Sequence, residues 1–405
     1  MNEARQRKIS SVAARLTLLV AAGAAMACGG PLGPDANTDG TLPIIGRGTI
    51  TDRVTTELTV IGDYAYVGTS SLASLGNATV MIFNTAGSSP VIVDSLKIPD
   101  AARISDIQVA DNGKLLVVST EPVPGSIVIY DLTDRAKPAL LSRFTNANTS
   151  SGVHTAEVQR VNGRLYAFLS TDNRIEERSK LVIADITDPR APAEVFARGM
   201  GLPFIHDVFV RDGILFTMLW NDGVEIFDIG GGGRGGTVAV PVSISKFLTV
   251  GGRAHNGWWY HEPSGQKRYL FVGEEAPGTG GAGTASGDIH VLDVSNLSAP
   301  REVAFYSVLG SGTHNFWMDE ARGILYAAYY NGGVRAIDVR GDLSSCNTDQ
   351  KGSDGRCDLG RMDREIATGL LDAGVAVFIW GVQAAGGRVY ASDMFSGLWI
   401  LGAAQ

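Results

Sequence analysis

The chain has 405 residues, 44% of them hydrophobic and 19% charged, a balance that belongs to a folded globular protein of two or three average domains or one large all-β domain. A net charge of −8, with Lys and Arg scattered along the chain, excludes a nucleic-acid-binding face, which needs clustered cations to neutralise phosphates. Fifty-one glycines suit a fold with many tight turns.

In chain order, the first segment carries a targeting pattern. Arg5, Arg7 and Lys8 precede an apolar stretch at residues 16–27, too short to span a bilayer and of the length of a signal-peptide core. It ends in Ala25-Met26-Ala27-Cys28. Small residues before a Cys resemble the lipobox of bacterial lipoproteins, with Ala25 where Leu is usual. The resemblance implies export and lipidation of Cys28; the competing reading is simple cleavage after Ala27. A lipid on Cys28 would anchor the chain to a membrane face. Gly29 and Gly30 follow it rather than Asp, so the outer membrane is the expected place. Residues 29–42 read as a flexible tether. Asp35 to Gly40 opens like a calcium loop, but Gly46 stands where the closing Glu belongs.

From residue 43 onward the chain repeats. Residues 204–229 display the unit: three short apolar runs separated by Arg211-Asp212-Gly213 and Asn221-Asp222-Gly223, which predict a three-stranded antiparallel meander. Seven segments share this grammar. Each has a second strand such as Tyr64-Ala65-Tyr66-Val67 or Leu165-Tyr166-Ala167-Phe168. Most have a third strand ending in Asp, as at Asp131, Asp185, Asp228, Asp293 and Asp338. A period of about fifty residues with four short strands predicts an all-β fold, a seven-bladed β-propeller over residues 43–405. The last repeat contains only three strands, and residues 43–51 are expected to supply the fourth, closing the ring and covering an open edge. Residues 230–237 and 276–287 read as loops. Residues 342–363 read as a solvated extension of the sixth blade whose Asp349, Asp354 and Asp358 are candidate calcium ligands. Its Cys346 and Cys357 are expected to form a disulfide in an exported compartment, with a metal pair as the alternative.

The strand exits, such as Asp185-Ile186-Thr187-Asp188-Pro189 and Asp293-Val294-Ser295-Asn296 followed by Pro300, resemble the LVIVD-repeat family, exported bacterial β-propellers often carried on lipoproteins. The resemblance implies a periplasmic or surface propeller and assigns no catalytic residue.

One column of the repeat carries chemistry. His154, His206, His255 and His314 stand at the start of successive innermost strands, 52, 49 and 59 residues apart. Thr56 and Ser105 hold the equivalent positions in the first two repeats, and Phe378 or Trp380 in the last. Innermost strands line a propeller's channel, so the imidazoles are expected to converge at one mouth. Glu121, Asp172, Asp222, Glu274, Glu275 and Asp393 fall in or beside the loops of that mouth, with Trp220, Trp258, Trp317 and Trp380 near in sequence. The candidate metal ligands are His154, His206, His255 and His314, for zinc, iron or copper. The candidate ligand-binding residues are Trp220, Asp222, Glu274, Glu275, Trp258, Trp317 and Trp380. Three readings stand: a metal centre, a metal-free polar pocket, or imidazoles copied by duplication that only bond a turn. Asp207, Asn256 and Asn315 are expected on the opposite strand face as caps. His261 and His290 read as incidental. The function read from this pattern is binding or scaffolding at the cell envelope, with a protein or glycan partner at the channel mouth. The alternative is a metal-dependent enzyme.

Overall fold

Short runs of Val, Ile, Leu and aromatic residues between Gly-containing turns bury their side chains by pairing as strands. The computed structural model of the chain describes residues 40–404 apart from 72–77, 123, 172–178, 203 and 279–282. The expected signal segment with Cys28, the expected tether up to Asp39 with its calcium-like motif, and Asp172 lie outside the described residues. Among the described residues the regular structure is strand, with a single 3₁₀ turn at Thr348–Gln350 and no α-helix.

The strands pair as antiparallel four-stranded units taken in chain order. In the unit around residues 204–229, Asp207–Arg211 pairs with Ile214–Met218, which pairs with Val224–Asp228, which pairs with Val242–Phe247. The first two units join into one sheet through the single pair Ser70 and Arg103. The innermost strands neighbour one another in chain order. The last, Ile379–Ala385, lies against the first, Val54–Ile61, and there the Gln383 amide exchanges two hydrogen bonds with the Val60 backbone, at 2.7 and 3.0 Å. Ile44–Thr49 pairs antiparallel with Gly397–Gly402 at the outer edge of the last unit. Just before it Leu42 is buried, and its N–H donates to Thr368 O at 2.8 Å.

Apolar clusters fill the space between consecutive units. The space between last and first is filled likewise, by Leu58, Val60 and Val67 against Tyr390, Leu398 and Ile400. Second and third strands are therefore covered on both faces. Ile214–Met218, Val224–Asp228 and Ile324–Ala328 are buried throughout, so apolar residues dominate both of their faces. Outermost strands such as Val91–Lys97 are largely exposed.

The Asp that ends a third strand turns the chain as expected. Asp131, Asp185 and Asp293 each accept from the N–H two residues on, at 2.7, 2.9 and 3.0 Å.

Two loops depart from the sequence reading. Residues 230–237 fold around Asp228, whose carboxylate accepts from the N–H groups of Gly230, Gly232, Arg234 and Gly236 at 2.6–3.1 Å. Glycine supplies the turns that bring every second amide inward: Gly230, Gly233 and Gly235 all have positive φ. Residues 342–363 are largely exposed but anchored to the preceding unit. Cys346 and Cys357 form a disulfide with Cα atoms 5.8 Å apart, and Cys357–Asp358 adds a parallel edge strand to Arg301–Tyr306 of the preceding unit. Leu343 and Leu359 are fully buried there. Asp354 pairs with Arg356 and Asp358 with Arg361 rather than facing one ion.

Candidate ligand site in the central channel

The histidine column takes its geometry from a repeated irregularity. The N–H groups of His154, His206 and His314 donate to Ser170, Met218 and Ala328 at 2.8–2.9 Å, each near the end of its unit's second strand. In the first, second, fifth and last units the innermost strand carries a bulge there, for example between Ala254 and Asn256. An extra residue breaks the alternation of faces. Consecutive residues then both turn to the channel: Ser105 with Asp106, His206 with Asp207, His255 with Asn256 and His314 with Asn315 line one cavity. The expectation that Asp207, Asn256 and Asn315 occupy the opposite face is thus corrected, because strict period-two alternation does not survive at the bulge.

The imidazoles form a continuous arc. Ring centroids are 4.3 Å apart from His154 to His206, 4.3 Å from His206 to His255 and 4.2 Å from His255 to His314. Trp220 stacks on His206 at 5.2 Å and Trp380 lies 4.4 Å from His314. His314 Nδ1 is 2.7 Å from Trp380 O. A carbonyl only accepts, so that nitrogen carries the proton and Nε2 keeps its lone pair. His206 Nε2 and His255 Nε2 both face Glu275 Oε2, at 3.8 and 3.7 Å, and the Tyr330 hydroxyl donates to Glu275 Oε1. Burial, then the neighbouring imidazoles, push His206 and His314 well below the ordinary histidine range; burial lowers His255 as well, against the pull of Glu275. These three rings are neutral near pH 7, the form that ligates a metal.

The LVIVD repeat matches the sequence at residues 52–73 and 284–308. Two stretches of the chain thus resemble that repeat. The first match covers the innermost and second strands of the first unit, and the second covers the third and fourth strands of the fifth. Among solved structures, the β-propeller domain of Cps50 (Swd1) from Myceliophteria thermophila is 14% identical, with a TM-score of 0.57, over 88% of this chain and 98% of that one. The C-terminal WD40 domain of Sif2 is 11% identical, with a TM-score of 0.55, over 90% of this chain and 99% of that one. The fold is a β-propeller. No curated protein matches the sequence.

In this propeller the imidazole layer is shared by two cavities. The one at the mouth, about 630 Å³, is lined by Arg103, Glu121, Phe204, Trp220, Glu275 and Trp380 together with His154, His206 and His314. The other, about 500 Å³, lies on the far side of the same rings and is lined by Phe209, Trp258 and Trp317 and by several carboxylates and amides. The predicted ligand residues therefore divide. Trp220, Glu275 and Trp380 reach the mouth, whereas Trp258 and Trp317 belong to the far cavity. Asp222 pairs with Lys246 at 2.7 Å on the surface, and Glu274 turns to His290 at 3.6 Å; neither lines a channel cavity. The four histidines divide too. His206, His255 and Glu275 offer ligand atoms within 4.8 Å of one another. His154 Nδ1 instead faces Glu121 at 3.2 Å, and Glu121 also pairs with Arg103 at 2.8 Å. Burial would raise the Glu121 carboxyl, but His154 and Arg103 hold it down to about 2. His290, read as incidental, is buried between Glu302 at 2.7 Å and Glu274; burial disfavours its charge, yet the two carboxylates raise it to about 9.

Two bulky residues at the mouth adopt left-handed backbone, Trp220 at φ 52° and Tyr330 at φ 41°. Both begin the loop after a second strand, and both are held by a bridge to the next unit, Trp220 to Ala254 and Tyr330 to Ile379. Strain of this kind persists where surrounding structure over-determines it and gathers at functional sites. The sequence reading missed Tyr330 and Arg103, and it missed the far cavity's carboxylates Glu57, Asp106 and Glu157. For Glu57 and Asp106 the signal was one column away: the residues after Thr56, Ser105, His154, His206, His255 and His314 are polar in every case.

Proposed function

We propose that this LVIVD-repeat propeller is a binding module of the cell envelope that holds a transition-metal ion at its channel mouth and meets its partner there. Its ring is read as seven blades, with Ile44–Thr49 completing the last. The lipobox-like segment ending at Cys28 is read as the anchor, and the disulfide favours an oxidising compartment. The observation that carries the proposal is the convergence of two neutral imidazole Nε2 atoms on one carboxylate oxygen, at 3.8 and 3.7 Å. Around tetrahedral zinc with bonds of about 2.0–2.1 Å, ligand atoms stand about 3.3–3.4 Å apart, so a small closing motion seats the ion. Three protein ligands leave a fourth position open toward the mouth, where a glycan or protein donor could reach it. Binding is placed ahead of metal-dependent catalysis because the site supplies a place to hold an ion, and no second observation assigns a reaction.

The test is metal analysis of protein purified without a His tag, before and after incubation with zinc. One equivalent of zinc, iron or copper is expected, and Glu275→Gln and the pair His206→Ala with His255→Ala should abolish it. Protein that stays metal-free after incubation, with an unchanged melting temperature, would remove the ion from the proposal.

A further inference from the structure

The far cavity has a chemistry of its own, independent of any ion at the mouth. Four carboxylates line it: Glu57, Asp106, Glu157 and Asp207. Each is bonded by neutral donors. Leu58 N and the Asn315 amide donate to Glu57, and Ala156 N donates to Asp106 at 2.8 Å. The Gln108 and Gln159 amides donate to Glu157 at 3.1 and 3.0 Å, and Val208 N to Asp207 at 2.7 Å. The charged or titratable groups sharing the lining are Arg211 and the four histidines. Arg211 is engaged by Glu320, with Nη2 2.9 Å from Oε2. Burial and mutual repulsion raise Glu57 and Glu157 to about 8, a sign that these carboxyls lack a cation. Near pH 7 these two carboxyls are therefore largely protonated, and a cation bound beside them would favour their ionised form.

The walls add aromatic faces. Phe209 and Trp258 have centroids 5.5 Å apart, as do Trp258 and Trp317, so three rings run side by side along the cavity. We infer that this cavity binds an organic cation, an amine or guanidinium compound whose charge meets the Glu57, Asp106, Glu157 and Asp207 carboxylates while its carbon skeleton lies against Phe209, Trp258 and Trp317. A cation satisfies both halves of the lining, through charge-assisted hydrogen bonds and cation–π attraction. A cavity of about 500 Å³ lies within the range of small-molecule sites.

Calorimetric titration of the full-length protein in EDTA, with agmatine, tetraethylammonium and glucose as probes, tests this. EDTA removes any ion at the mouth, so the outcome is independent of the metal site. Saturable one-to-one binding of at least one cation and none of glucose is expected. Glu157→Gln should weaken it at least ten-fold, and Trp317→Leu should weaken it in parallel. Failure of both cations to bind the wild-type protein at millimolar concentration overturns the inference, as does tighter binding of glucose. Cation binding left unchanged by both folded variants also overturns it, because the charge would then be met elsewhere.

Discussion

Asp228 shows how much one side chain organises. Four backbone N–H groups of a glycine-rich loop converge on its carboxylate, and although burial opposes the charge, those amides hold it down to about 2. The folded value lies below the ordinary 3.8, so the stability it contributes is fully present above about pH 4 and is lost as pH falls through 2. Asp228→Ala should cost about 3 kcal/mol, read by urea unfolding at pH 7. Asp228→Asn should flatten the loss of stability between pH 4 and pH 2, and an unchanged acid profile would show that the loop is held by something else. Glycine matters differently at Gly381, where a Cβ would overlap Glu57 Oε1. The last innermost strand is kept bare at that point so that a carboxylate of the first can occupy the channel.

The 342–363 insertion is the element whose character changed most between sequence and structure. Its polar composition suggested solvent, but its Cys357–Asp358 strand covers the open edge of Arg301–Tyr306, a common way to protect a sheet edge. Arg356 pairs with Glu302 and lies 4.6 Å from the Phe305 ring, tying the insertion to the charged His290. The disulfide closes a loop with a sequence separation of 11. By loop-closure entropy such a link is worth about 3 kcal/mol. Replacing both cysteines by Ser should make residues 342–363 a preferred site of limited proteolysis and speed amide exchange there, with smaller changes in the other units. Equal protease resistance in the variant would mean that the docked strand and the Arg356 pairs suffice. The bulged start of the innermost strands was less legible. A bulge adds a residue without changing residue types, so the repeat could be aligned correctly and still assign Asp207, Asn256 and Asn315 to the wrong face.

For the whole molecule, the contact to test is the one Ile44–Thr49 makes with the last unit. Ile44–Thr49 lies on Gly397–Gly402, with the Arg47 guanidinium 4.6 Å from the Trp399 ring. Gly48 lies so close to Phe83 of the first unit that a Cβ there would press on the ring. On the ring-closure reading, deleting residues 40–50 should broaden the thermal transition and lower it by more than about 10 °C, because an edge opens between last and first units and the cluster of Leu58, Val60 and Tyr390 loses cover. A peptide of residues 40–50 added in trans should restore part of the loss. A variant that melts like the parent would leave the N-terminal strand a passenger.

Four features were legible in the residues alone: the repeat, the strand exits capped by Asp, the pairing of Cys346 with Cys357, and the histidine column. Each is a local pattern, set by side-chain type and spacing along the chain. The folded molecule alone revealed that His206 and His255 share Glu275, that Trp258 and Trp317 face away from the mouth, and that four carboxyls line one cavity. These depend on distances across a channel between strands up to hundreds of residues apart, and on bulges that re-aim side chains without leaving a mark in composition.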